Sequence, residues 1–414
     1  MKVLWFTNNH VNLASGVVTG GWMQSLEQAI TKIEGIELYI ATRARKGDTP
    51  GRFIAGNTTY IVIPDNRSLF KKRIDIFFNR EPDEYFLNQY LEIIQSVCPD
   101  VIQIFGSEMN YGLICEHTKV PVVLHIQGVL NPYLYQLSRI HFTKLQLAKS
   151  QSFKDLIRGS TYGNSLRSFS RRARNESRFL KACPNVIGRT DWDKRVMTIL
   201  APNARYFHCD ELLRSDFFAC TWHYHQDESI NIVSVISSAV YKGHDNIIAT
   251  CKVLIALGIK FKWHIIGFSE TSTTYRLFYK EHASALHGLI QFHGSHAPSE
   301  MIALLLTCNV YVHPSHIENS SNAICEAMAL GMPVVALDVG GNTSIIRNNE
   351  DGFIVPNHDP YSLAEAIVRI SQSDELSTTL GSNAKRHAHL RHNTQTIVSN
   401  LRQIYTKVIR PYEY

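Results

Sequence analysis

Short apolar runs alternate with longer amphipathic stretches along the whole chain, and each pair reads as a strand followed by a helix. In the first half the runs are KVLWFT from Lys2, IELYIAT from Ile36, TYIVIP from Thr59, DVIQIFG from Asp100, PVVLHIQG from Pro121, NVIGRT from Asn185 and ARYFHC from Ala204. In the second they are NIVSVI from Asn231, KWHIIG from Lys262, LIQFHG from Leu289, VYVHPS from Val310, PVVALD from Pro333 and GFIVP from Gly352. Most are continuous rather than alternating, as strands covered on both faces require, so repeated βα units on parallel sheets are predicted. Between Cys209 and Asn231 the sequence turns irregular (LLRSDFFACTWHYHQDES), and the rhythm restarts at Asn231. The boundary falls there: a first domain over 1–212 and a second over 213–392. A final segment, 393–414, carries Ile397, Leu401, Ile404 and Val408 at helical spacing and is expected to pack back on the first domain. The expected class is α/β, with two facing doubly wound Rossmann-like domains and a deep interdomain cleft.

Composition narrows the function. At 414 residues the chain exceeds what one core serves, and 44% hydrophobic with 19% charged content is that of a soluble globular protein. No apolar run reaches the roughly 18 residues of a spanning helix. MKVLWFTNN reads as a first strand rather than a signal peptide, which makes a cytoplasmic location the expectation. Eight cysteines are scattered without a CxxC pair or Cys/His cluster, supporting neither a disulfide framework nor a zinc site.

The net charge of +6 is unevenly placed, since 139–195 holds 14 Lys and Arg against four acids. Phe142, Leu145, Leu147, Phe153, Leu156, Ile157, Leu166 and Phe169 lie within that stretch. The arrangement fits peripheral contact with anionic lipid at the inner face of the cytoplasmic membrane, or equally a solvated helical face with its own apolar side. Nucleic acid is not expected, because no binding-fold signature accompanies the charge.

In open α/β sheets ligands collect at the carboxyl ends of strands. That rule selects 8–22, 106–108, 125–128, 189–193, 237–244, Gly267, 293–296, 313–322 and 338–343. Among these, HPSHIENSSNAICEAMALGMPVVALDVGGN from His313 combines the most chemistry. Glu318 falls in the turn after a strand and Glu326 in the second turn of the following helix. The Asn319-Ser320-Ser321-Asn322 run supplies a helix start whose free amides and dipole suit a diphosphate.

The PS before the first Glu, EAMALGMPVVA after the second and the GG turn resemble retaining glycosyltransferase family 4, of the GT-B fold. The resemblance implies a sugar moved from a nucleoside-diphosphate sugar to a glycan or polyprenyl-linked acceptor, in surface polysaccharide or glycoconjugate synthesis, with no cofactor and no metal. It implies that Glu318 contacts the donor sugar and Glu326 the ribose. Lys242 matches the family's phosphate-binding Lys, and His125 its first-domain histidine beside the transferred sugar. Gly21, Gly267, Gly294, Ser321, Asn322 and Ala323 are the expected backbone contacts to the nucleotide sugar. The sequence departs in one place: where the family has an Arg ahead of the Lys, Ser237-Ser238-Ala239 stands, and Arg189 is a candidate replacement.

Asp191-Trp192-Asp193 forms a DxD, the metal signature of another glycosyltransferase fold, but outside that context it is read as no metal site. Arg189, Thr190 and Trp192 are candidates to face the acceptor. Two alternatives stay open: an epimerase on the same scaffold, which would need no acceptor, and a non-catalytic sugar-nucleotide-binding subunit.

Overall fold

The computed structural model describes residues 1–8, 21–45, 47–151 and 161–410. The chain forms two compact units: Met1–Leu134 with Lys154–Leu212 and Asn393–Tyr414, and Tyr135–Phe153 with Leu213–His392.

Among the described residues the first unit is built on eight strands: β1 (Lys2–Phe6), β2 (Glu37–Arg43), β3 (Gly51–Ala55), β4 (Thr58–Ile63), β5 (Val101–Phe105), β6 (Val122–His125), β7 (Asn185–Gly188) and β8 (Arg205–His208). Their order is β3-β4-β2-β1-β5-β6-β7-β8, parallel throughout except for β3, which runs antiparallel to β4. The order reverses between β1 and β5, so the topological switch point lies at their carboxyl ends. Seven strands coincide with the apolar runs. The eighth, β3, has no such run: it is an edge strand exposed along most of its length, paired through a hairpin at Gly56 and Asn57. Without burial there is no apolar signal to read.

The second unit carries β9 (Ile230–Val235), β10 (Phe261–Ile266), β11 (Ile290–Gly294), β12 (Val310–His313), β13 (Val334–Leu337) and β14 (Phe353–Val355). All are parallel, in the order β11-β10-β9-β12-β13-β14. Numbered within the unit this is 3-2-1-4-5-6, the dinucleotide-binding order, with its switch point between β9 and β12. Tyr311, Val312, Val334, Val335 and Ala336 are fully buried because helices cover both faces of the sheet.

Two segments leave their sequential neighbours. Residues 135–153, read from the sequence as part of the first domain, belong to the second unit, where Ile140, Phe142 and Leu147 pack on the core and Phe142 meets the Phe278 ring at 5.2 Å. The helix Thr394–Ile409 lies on the first unit, burying Ile397, Leu401, Ile404, Tyr405 and Val408 beside Trp5 and Val3. Among the described residues no helix is long and apolar enough to cross a membrane.

Candidate functional site

At the second unit's switch point, β9 runs into a turn carrying Lys242, and β12 into the turn carrying Glu318. Two glycines allow these turns to approach their neighbours. Gly243 has φ +76°, and a Cβ there would lie 1.7 Å from the Pro314 carbonyl oxygen. Gly340 has φ +53°, and a Cβ would lie 1.8 Å from the Glu318 carbonyl oxygen, which accepts a hydrogen bond from the Gly341 amide at 3.0 Å. The GG turn therefore buttresses the backbone of Glu318 directly. His316 fastens the same turn from the other side, its amide donating to the Tyr241 carbonyl at 2.9 Å and its Nε2 meeting Asp245 Oδ1 at 2.7 Å.

The side chains form one polar cluster. Lys242 Nζ donates to Glu318 Oε2 at 2.5 Å, and His313 Nε2 lies 3.2 Å from the same oxygen. Tyr311 Oη meets His313 Nδ1 at 3.1 Å, so the tautomer that accepts from the tyrosine donates to Glu318. Burial disfavours the Glu318 carboxylate, but Lys242 and His313 outweigh it and hold the carboxyl well below its usual range. Lys242 is raised by the same pairing against its own desolvation, and burial keeps His313 low and neutral. The result is a charged pair poised in a nearly dry turn.

Glu326 stands in the helix Asn322–Leu330, 6% exposed. Arg214 Nε and Nη2 reach its Oε1 at 2.9 and 2.7 Å. Burial raises the Glu326 carboxyl and Arg214 opposes the rise. Arg214 lies in the irregular stretch after Cys209, where no periodicity marks it, and sequence reasoning missed it. Ser321 is the residue before the helix and makes no side-chain cap, while Asn322 Oδ1 is buried without a hydrogen-bond partner. The first amides, at Asn322 and Ala323, thus begin the helix beside polar groups not consumed by capping. Gly267 packs its bare Cα against β9, since a Cβ would meet the Ile236 carbonyl oxygen at 2.2 Å, and its amide donates to the Gly294 carbonyl at 2.7 Å. Gly294 itself, with φ +68°, faces open space.

The first unit holds the remaining candidates. Gly21, φ +42°, opens the helix Gly21–Ile30 with none of the described residues within 4 Å of where a Cβ would stand, whereas Gly20 lies outside the described residues. His125 ends β6, fully buried between Phe105 and Trp22. A directed chain of hydrogen bonds fixes it: Trp5 Nε1 donates to Tyr405 Oη at 3.0 Å, Tyr405 donates to Gln103 Oε1, and Gln103 Nε2 donates to His125 Nδ1 at 3.0 Å. The ring proton is thereby placed on Nε2, which has no hydrogen-bond partner among the described residues. Burial, reinforced by the Arg189 charge, lowers His125 to about 3, so the ring is a neutral donor.

Arg189 is 3% exposed, 3.5 Å from Glu211 and donating to the Gln127 carbonyl at 3.0 Å. Thr190 is buried as the N-cap of Asp191–Leu200, and Trp192 is half-buried against the core. Asp193 is consumed by the Arg189 amide and the Tyr206 hydroxyl, while Asp191 is exposed. At the carboxyl ends of β1, β2 and β5 a cavity of about 450 Å³ is lined by Asn8, Thr42, Arg43, Arg172 and Glu108, among others. Burial, helped by the neighbouring Glu176 charge, pushes Glu108 up to about 7, and its Oε2 has no hydrogen-bond partner among the described residues.

Known proteins resemble this chain in sequence over the second unit and in fold over its whole length. Residues 223–387, most of the second unit, match the family model for glycosyl transferases group 1. Among curated proteins, a Staphylococcus aureus capsular polysaccharide biosynthesis glycosyltransferase, CapM, is 29% identical over 176 residues, 42% of this chain and 44% of the relative. The putative colanic acid biosynthesis glycosyltransferase WcaL of Escherichia coli is 28% identical over 36% of this chain and 38% of its own length. The matched segments thus span less than half of these relatives. Whole-chain similarity is structural: sucrose-phosphate synthase of Thermosynechococcus elongatus superposes with a TM-score of 0.73 at 17% identity, covering 99% of both chains. Anabaena HepE, solved with UDP and glucose, gives 0.64 at 16% identity over 98% of this chain and 99% of its own. The fold is that of the GT-B glycosyltransferases, and the second unit carries the group 1 sequence pattern.

Proposed function

We propose that the protein is a retaining, metal-independent glycosyltransferase of family 4 that moves a sugar from a nucleoside-diphosphate sugar to a glycan or lipid-linked acceptor. The observation that carries this reading is the Lys242–Glu318–His313 cluster at the second unit's switch point, beside a helix start. In this role Lys242 and the amides of Asn322 and Ala323 stabilise the leaving diphosphate, supplying by fixed charge and dipole what a metal would otherwise supply. Glu318, oriented by His313, positions the sugar, and Glu326, oriented by Arg214, receives the ribose hydroxyls. In the unliganded site Lys242 is paired with Glu318, so an incoming diphosphate competes for the ammonium. In the first unit, the His125 Nε2–H is a neutral donor of the kind a sugar hydroxyl accepts. Relatives named for capsule and colanic acid synthesis support a surface-polysaccharide role.

A thermal-shift and hydrolysis panel over UDP-, GDP-, ADP- and dTDP-sugars tests the donor site, starting from UDP-sugars because a fold neighbour was solved with UDP. Saturation at about 100 times Kd should stabilise the fold by about 2.7 kcal/mol. Glu318→Ala should lose turnover while keeping its circular dichroism spectrum; full activity in that variant removes the proposed site. Omitting the acceptor separates transfer from epimerisation.

A further inference from the structure

The helix Leu69–Phe77, LFKKRIDIF, is turned inside out. Its polar side faces the protein: Arg67 bridges Asp65 at 2.8 Å and Asp75 at 2.5 Å, and Lys72 Nζ donates to the Asp65 carbonyl at 2.8 Å. Ser68 caps its start. Just past its end, Asn79 Nδ2 donates to the Arg167 carbonyl at 3.1 Å and Arg171 donates to Asn79 and Glu81 at 2.8 Å each. The helix is thus held in place by ion pairs and hydrogen bonds rather than by packing. None of its residues is buried, and none joins a core cluster. Most of its apolar side chains are solvent-exposed instead: Leu69 and Phe70 by 78 and 74%, and Phe77 and the adjoining Phe78, which with Ile76 line the edge of a neighbouring cavity, by 81 and 59%. Single exposed apolar residues are ordinary, but five exposed apolar side chains within ten residues, with the Phe77 and Phe78 rings in contact at 5.1 Å, form an apolar ridge that is not.

The charges around the ridge identify its partner. The exposed charged residues between 69 and 80 are Lys71, Arg73 and Arg80, all positive, while Asp75 is turned inward to Arg67. Across the adjoining cavity of about 780 Å³, the helix Tyr162–Ala182 contributes Arg167, Arg171 and Arg172. Aromatic residues flanked by cations of one sign match a bilayer interface with anionic headgroups, where rings enter the acyl boundary and cations meet phosphates.

We propose that residues 69–80 form an interfacial anchor that seats the first unit on an anionic lipid surface, with Leu69, Phe70, Phe77 and Phe78 inserted and Lys71, Arg73 and Arg80 on lipid phosphates. This differs from the surface read from 139–195, most of whose described apolar side chains are at least half-buried, Phe142 and Leu147 against the second unit's core; Leu145 is exposed, and Phe153, Leu156 and Ile157 lie outside the described residues. It holds whether or not the donor site works as proposed.

The test is co-sedimentation of the full chain with phosphatidylcholine vesicles and with vesicles that also contain phosphatidylglycerol. The parent should bind the anionic vesicles, weakly bind the neutral ones, and release with salt. Phe70→Ser with Phe77→Ser, and separately Lys71→Glu with Arg73→Glu, should each lower the partition coefficient about tenfold or more. Melting temperature and nucleotide-sugar thermal shift should stay at parental values, because these side chains touch no core and no donor residue. Unchanged partitioning in both double variants, or equal binding to neutral vesicles, overturns the proposal. So does a fall in molar mass by light scattering in the Phe70→Ser, Phe77→Ser protein, which assigns the ridge to a second copy of the chain.

Discussion

Two glycines with the same backbone sign separate strain from collision. Gly243 and Gly294 both sit at positive φ, but a Cβ at the first would strike the Pro314 carbonyl and at the second would meet nothing. Gly294→Ala should cost only the backbone term, about 1 kcal/mol. Gly243→Ala must displace the turn that carries Lys242 and should cost at least about 3 kcal/mol and abolish donor binding. Urea melts of the two variants check the difference, and equal midpoints would remove the close-approach argument. The residue types at the proposed donor site are legible because their chemistry is local: a Glu in a turn after a strand, a Lys before a glycine. What orients them is not. Arg214 is 112 positions from Glu326, and Tyr405 is 302 from Gln103, separations over which one sequence carries no pairing signal.

Elements showed themselves in proportion to their burial. Thirteen strands were visible as apolar runs, while exposed β3 and the outward-facing helix Leu69–Phe77 were not, since both invert the pattern that burial imposes. Residues 135–153 illustrate a further limit: their helical periodicity is readable, but not which sheet they cover. At this scale the helix Asn322–Leu330 depends on Arg214, the cation bound to Glu326. Arg214→Ala leaves that carboxylate buried and unpaired, which favours its protonated form. We expect the donor KM to rise by about tenfold or more with a smaller change in kcat, measured against Glu326→Gln; additive losses in the double variant would show that the two residues do not act as a pair.

Across the whole molecule, buried ionisable groups pull stability in opposite directions with pH. His244 is lowered to about 4 by burial, so between about 6.5 and 4 the unfolded chain takes up a proton that the fold refuses, and stability falls on acidification. Glu108 is raised to about 7, so between about 4.5 and 7 the fold holds a proton the unfolded chain has released, and stability falls as pH rises. The melting-temperature difference between His244→Gln and the parent should therefore grow in the variant's favour from pH 7 to 5. For Glu108→Gln it should grow from pH 5 to 8. Scanning calorimetry across that range reads both signs, and parallel curves would discard the assignments.

The bond from Trp5 to Tyr405 has a consequence for biosynthesis. Strand β1 leaves the ribosome some 400 residues ahead of Leu401, Ile404 and Tyr405, so the surface it shares with them stays uncovered over that stretch of synthesis. The second unit, contiguous from 213 to 392 apart from one earlier helix-bearing segment, can complete its sheet while that surface still waits. The unit whose sheet begins earlier is completed later than the second, and His125 acquires its fixed tautomer only when the helix Thr394–Ile409 arrives.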